Sequence, residues 1–238
     1  MSDTDQRYRV VVMGPGKVGK TCILKRFLFN TYTDDYKETV EDLYCRDFNV
    51  RGSCIKVDLL DTAGNLPFPA MRRLSITTAS GFVLVYSITS QASFEETKTL
   101  WTQIKEERPN YQDIPCVMVG SMTDLENSRQ VEKFDTLNWI YNEGFPGGFV
   151  EVSAKEDENV EDIFRLLLDQ SRGGARYMGP HSLRRRSANS LDEGEPVKEE
   201  WDSDAKNFNR SRSLVRRGSK GPKVRKARRH DKNDCRVS

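Results

Sequence analysis

The sequence predicts an α/β domain built on a mostly parallel, six-stranded sheet with one antiparallel edge strand and helices on both faces. Three observations predict it. Leu43 to Val50 and Cys54 to Leu60 are β-rich runs joined by Arg51-Gly52-Ser53, which reads as a hairpin. After it, nearly continuous apolar runs alternate with helical patterns, as parallel strands buried on both faces do. A glycine-rich stretch, Gly14 to Gly19, falls between the first apolar run and the first helical one.

Each element can be justified in order. Tyr8 to Met13 reads as a buried strand and Thr21 to Leu28 as a helix. Tyr32 to Val40 is polar and aperiodic, hence a loop, and the hairpin follows. Asp61-Thr62-Ala63-Gly64-Asn65 ends the second hairpin strand, and Pro67, Phe68 and Pro69 mark a loop or irregular helix. Gly81 to Ser87 is an apolar strand, Ala92 to Glu107 a helix and Ile114 to Gly120 a second buried strand. Val131 to Asn142 is helical, Phe149 to Val152 is a short strand, and Val160 to Ser171 is an amphipathic helix. Ligands of such sheets bind at the carboxyl ends of the strands, and the motifs below fall there.

The chain divides electrically. Residues 1–175 carry 20 Lys+Arg against 27 Asp+Glu, a net −7, while residues 176–238 carry 18 against 9, a net +9. The first segment is expected to be the folded domain. The second, rich in Arg, Ser, Asp, Lys and Gly and poor in apolar residues, is expected to be a disordered tail whose charge calls for an anionic partner, membrane or nucleic acid. Met1-Ser2-Asp3-Thr4-Asp5 is no signal peptide, and Ser2 argues against N-myristoylation. No apolar run reaches the ~18 residues of a membrane span. Cys22, Cys45, Cys54 and Cys116 have no metal-ligand spacing and read as reduced thiols.

Gly14-Pro15-Gly16-Lys17-Val18-Gly19-Lys20-Thr21 fits the phosphate-binding pattern G-x-x-x-x-G-K-[S/T] between a strand and a helix. Backbone N–H groups of such a loop wrap phosphates, and the helix dipole adds to the attraction. Lys20 would reach the β/γ-phosphates and Thr21 would hold Mg²⁺. Asp61-Thr62-Ala63-Gly64 is a second constellation: an Asp at a strand end that can hold Mg²⁺ through water, and a glycine that lets the backbone approach a γ-phosphate.

With Thr39 in Tyr36-Lys37-Glu38-Thr39-Val40-Glu41-Asp42 and Ser153-Ala154-Lys155 after the last strand, residues 7–172 resemble the Ras family of small GTPases. Gly64-Asn65-Leu66-Pro67-Phe68-Pro69-Ala70-Met71-Arg72-Arg73-Leu74-Ser75-Ile76, Lys17 and Val83 to Ile88 resemble the Dexras/Rhes branch, with Di-Ras next. The resemblance implies a phosphate-loop NTPase small G-domain, GTP/GDP and Mg²⁺ as ligands, and slow hydrolysis of GTP to GDP and phosphate. It implies a catalytic set of Lys20, Thr39, Gly64 and Asn65, and Thr21, Thr39 and Asp61 around the metal. The nucleotide would be lined by the phosphate loop with Cys22, by Tyr32 and Tyr36, by Ser121, Met122, Asp124 and Leu125, and by Ser153, Ala154 and Lys155. Thr39, Val40, Glu41 and Asp42 would meet an effector. Exchange factors, GTPase-activating proteins and a monomeric state are expected on the same ground.

The chain departs from that family at three places. Asn65 stands where most members carry Gln to orient the attacking water; its arm is one methylene shorter, and a displacement near 1 Å costs ~100-fold in rate. The base-reading pattern N-K-x-D is Ser121-Met122-Thr123-Asp124. Asp124 retains the guanine edge, but Met122 cannot donate and Ser121 is too short to replace every bond of an Asn amide. The expected loss is about 1.5–3 kcal/mol, or roughly 10–150-fold. Glu38 replaces a usual Pro and is expected to loosen the preceding loop.

Cys235-Arg236-Val237-Ser238 fits the C-a-a-X pattern for prenylation, the terminal Ser favouring farnesyl. One lipid anchors marginally, and the basic run from Arg210 to Lys232 supplies the second signal. An anionic membrane, at the cytoplasmic face of the plasma membrane with a cytosolic or nuclear pool, is therefore expected, and specific nucleic-acid binding is not. Ser187 and Ser219 follow arginines as basophilic kinase sites do, and phosphate on Ser219 would weaken the basic cluster. The competing reading is a pseudo-GTPase scaffold that binds partners without cycling.

Overall fold

A computed structural model describes residues 7–35, 38–50, 53–64 and 69–171. Tyr36, Asn65, Ser187, Ser219, Cys235 and the segment 176–238 lie outside the described residues. The elements are β1 (Arg7–Met13), α1 (Lys20–Phe29), β2 (Glu41–Val50), β3 (Ser53–Thr62), α2 (Pro69–Thr78), β4 (Gly81–Ser87), α3 (Gln91–Glu107), β5 (Cys116–Ser121), α4 (Lys133–Glu143), β6 (Gly148–Val152) and α5 (Val160–Ser171). They form one six-stranded sheet in the order β2-β3-β1-β4-β5-β6. β2 runs antiparallel to β3 at the edge, and the other pairings are parallel.

Gly81-Phe82-Val83-Leu84-Val85-Tyr86-Ser87 is buried at every position, as a central strand covered on both faces must be. The alternation of its side chains divides the interior in two. Val83 and Val85 join Ile23, Leu24 and Leu28 of α1 and Ile163, Phe164 and Leu167 of α5. Phe82, Leu84 and Tyr86 join Ile76 of α2, with Phe94, Trp101 and Ile104 of α3 on the opposite face. Helices therefore cover both faces, as the sequence predicts.

Two expectations change. Residues 65–68 of the stretch expected to be loop or irregular helix lie outside the described residues, while Pro69, its last residue, begins a regular helix. A proline is tolerated at the first helical position, because its missing N–H lacks an intrahelical partner anyway. The hairpin strands are longer than their apolar runs: Glu41 pairs with Thr62 and Asp42 with Asp61. Backbone ladder bonds, and not apolar alternation, carry that end. This pairing brings the loop around Thr39 to the carboxyl end of β3.

Candidate functional site

The motifs gather at the carboxyl edge of the sheet, where β1, β3, β4, β5 and β6 end at Met13, Thr62, Ser87, Ser121 and Val152. β1 lies between β3 and β4, with Val12 opposite Asp61 on one side and Val83 on the other. Its two neighbours are reached by chain passing over opposite faces, so a crevice opens beyond Met13.

The phosphate loop fills that crevice. A Cβ on Gly14 would stand 2.1 Å from the Val85 carbonyl oxygen, so only glycine lets the chain turn here. Lys20, 6% exposed, lies under the loop, and its Nζ donates to the Gly14 carbonyl at 2.9 Å and the Pro15 carbonyl at 2.7 Å. Burial lowers the Lys20 amine to about 8, with the Asp61 charge pulling the other way. Lys17 stands exposed on the outer side of the loop at φ +64°.

Beside the loop, three oxygens converge from three parts of the chain. Thr21 Oγ1 donates to Asp61 Oδ2 at 2.6 Å. Thr39 Oγ1 is 2.8 Å from Thr21 Oγ1, and because Thr21 spends its proton on Asp61, Thr39 is the donor there. Asp61 is fully buried, and its second oxygen, Oδ1, has no hydrogen-bond partner among the described residues. Burial raises the Asp61 carboxyl to about 6, against the opposing pull of the Thr21 bond and Lys20. An unpartnered buried carboxylate oxygen is costly in isolation. With two hydroxyls beside it, the set suits a small hard cation that takes oxygen ligands. Gly64 closes this end: a Cβ there would stand 2.2 Å from Gly16 Cα and N, so its backbone packs directly on the phosphate loop.

The base end is built differently. Ser121 Oγ lies 2.7 Å from the Val18 carbonyl and 2.9 Å from that of Tyr86, its one proton shared between them. The short serine thus keeps β5 tied to the phosphate loop, more than its length predicts. Met122 takes a left-handed conformation (φ +67°), and its thioether accepts from Ser87 Oγ at 3.3 Å. Its methyl group would lie 3.8 Å from a Cβ on Gly19, so the side chain lies across to the phosphate loop. Asp124 accepts at Oδ1 from Ser153 Oγ at 2.7 Å, which orients the carboxylate. Leu125 beside it is exposed. Tyr32 is half-buried; burial, and then a bond to Asp34, push its phenol up to about 12.

Two residues that the sequence reading passed over complete the arrangement. Arg26 donates from Nε to the Ala154 carbonyl at 2.8 Å and from Nη2 to the Lys155 carbonyl at 3.0 Å, holding the Ser153-Ala154-Lys155 loop against α1. Ser87 holds the Met122 sulfur. No local pattern marks either, because their partners are 128 or more and 35 residues away. Of the expected effector residues, Val40 is 60% exposed and Asp42 half-buried, whereas Glu41 is only 9% exposed. Burial raises the Glu41 carboxyl against the attraction of Arg9.

Fold and site together define a phosphate-loop α/β protein of the small G-domain type. The Ras family profile matches residues 9–172, and the chain belongs to the Ras family. Human "GTP-binding protein Rhes" is 39% identical over 173 residues, covering 69% of this chain and 65% of Rhes. "GTP-binding protein Di-Ras2" of Pongo abelii is 38% identical over 169 residues, covering 71% of this chain and 84% of that relative. The match thus spans just under two thirds of the length of Rhes.

Proposed function

We propose that this Ras-family protein is a GTP/GDP-regulated switch in signal transduction, with slow GTP hydrolysis and weakened guanine binding. The observation that supports it most is the meeting of Thr21, Thr39 and Asp61 beside the phosphate loop, with Asp61 Oδ1 unpartnered among the described residues. When bound, Mg²⁺ would neutralise charge on the β/γ-phosphates; the Thr21 and Thr39 hydroxyls would hold it directly and Asp61 through water. Thr39 then reports the third phosphate to the segment Val40–Asp42, where an effector would bind. Lys20 stabilises the transferring charge from beneath the loop. Gly64 brings its backbone to the same point, and Asn65 is a short-armed positioner of water, hence the slow rate.

At the other end Asp124, held by Ser153, selects guanine through its N1 and N2 donors. Ser121 retains the tie to the phosphate loop, and Met122 covers the base with an apolar arm that donates nothing. Exchange factors and GTPase-activating proteins would set the cycle. The anchoring reading is that the domain, residues 1–175, is held at the cytoplasmic face of the plasma membrane by a prenylated Cys235 and the basic run Arg210 to Lys232. Met122 in the place of Lys favours one rival, a scaffold that does not cycle.

The test is fluorescent-nucleotide titration of GTP and GDP with Mg²⁺, followed by single-turnover hydrolysis. Nanomolar to micromolar guanine binding with hydrolysis that Asn65→Gln accelerates up to about 100-fold is the expected result. No guanine binding by the native chain, with binding restored by Met122→Lys, would establish the scaffold.

A further inference from the structure

An apolar cavity of about 200 Å³ lies on the α1–α5 face, at the end of the sheet opposite the phosphate loop. Its floor crosses five adjacent strands or their starts, at Phe48, Val57, Val10, Gly81 and Pro115. Leu168 and Ser171, in the last turn of α5, form part of its wall. Its lining is almost wholly apolar, and its volume exceeds that of a compact apolar cavity of ~150 Å³ that takes benzene, so it suits a hydrocarbon group.

The sequence continues 67 residues beyond Ser171 and ends at Cys235-Arg236-Val237-Ser238. The segment that carries Cys235 therefore departs from the cavity wall itself. The net −7 of residues 1–175 attracts the net +9 of residues 176–238. We propose that this groove shelters the prenyl chain on Cys235 of the same molecule. This rests on the anchoring reading above. The modification balances as a thioether synthesis: Cys235 Sγ forms a bond to C1 of farnesyl diphosphate, the C–O bond to diphosphate breaks, and the thiol proton leaves to solvent. Docking inside one molecule acts at an effective concentration of order mM for a flexible tether that can span the distance. A single lipid holds a membrane only marginally, so groove and bilayer are competing sites, and filling the groove favours the bilayer.

The experiment uses the full chain, farnesylated with farnesyl diphosphate and a farnesyltransferase, beside Cys235→Ser. Amide exchange is read in β3 and the last turn of α5, and partition is measured on phosphatidylcholine/phosphatidylserine vesicles. Farnesylation is expected to slow exchange along the groove. Ser171→Trp, at an exposed position on the last turn, should abolish that protection and raise the vesicle-bound fraction about threefold. Leu168→Trp is the second groove-filling variant. A farnesylated chain with an unprotected groove overturns the proposal and leaves the anchoring reading intact. Equal protection in Cys235→Ser overturns it in favour of a peptide segment of the tail, and protection that appears only with a doubled mass overturns it in favour of a second copy. Failure of Cys235 to accept farnesyl removes the anchoring reading and the proposal together.

Discussion

The phosphate end and the base end of this site are built on different principles. At the phosphate end, backbone geometry and three converging oxygens do the work: Gly14 and Gly64 admit no side chain, Lys20 is buried beneath the loop, and Thr21, Thr39 and Asp61 meet within 2.6–2.8 Å. At the base end, two positions of the family pattern are replaced, yet the connections survive by other atoms. Ser121 reaches Val18, Met122 lies across toward Gly19, and Ser153 holds Asp124. The comparison teaches that the two ends are held differently: glycine packing and a buried lysine fix the loop, whereas at positions 121 and 122 other atoms keep the contacts between the end of β5 and that loop.

The largest expected effect tests the first half. Lys20→Ala removes a charged donor from the centre of the loop and should weaken GDP and GTP about 100-fold or more in titration. A loss below tenfold would mean that the loop's backbone suffices. Asp124→Ala comes next: guanine affinity should fall roughly 30-fold while adenine nucleotides stay as weak as before, so the guanine-to-adenine ratio collapses. If both nucleotides weaken together, Asp124 only positions Ser153. Met122→Lys should tighten GDP about 10-fold by restoring a donor, measured as slower release. The smallest effect sharpens the contrast. Ser121→Ala leaves the Val18 and Tyr86 carbonyls short of a donor and should cost about 1 kcal/mol of stability, a fall in Tm of about 2–4 °C. Ser121→Asn should change GDP affinity by less than about threefold, because the tie is already made.

Much of this was legible before the structure. The six strands and the edge hairpin followed from apolar runs, and β4 is buried throughout because its sequence is apolar throughout. The helix beginning at Pro69 was hidden because proline is a breaker everywhere but the first helical turn. The extra pairs at Glu41–Thr62 and Asp42–Asp61 were hidden because ladder hydrogen bonds do not require apolar side chains. Arg26 and Ser87 act across long separations, where no spacing rule applies.

By itself the sequence determined which groups are available: the G-x-x-x-x-G-K-T pattern of Gly14 to Thr21, carboxylates at Asp61 and Asp124, and no Lys at position 122. Those follow from residue type at short spacing, where local geometry is dictated by the backbone. Only the tertiary structure decided that Asp61 keeps one oxygen unpartnered among the described residues, that Ser121 reaches the loop, that Glu41 is largely buried, and that the opposite end carries an apolar groove beside the last turn of α5. Each depends on groups brought within a few ångströms from distant positions, and packing, not pattern, sets those distances.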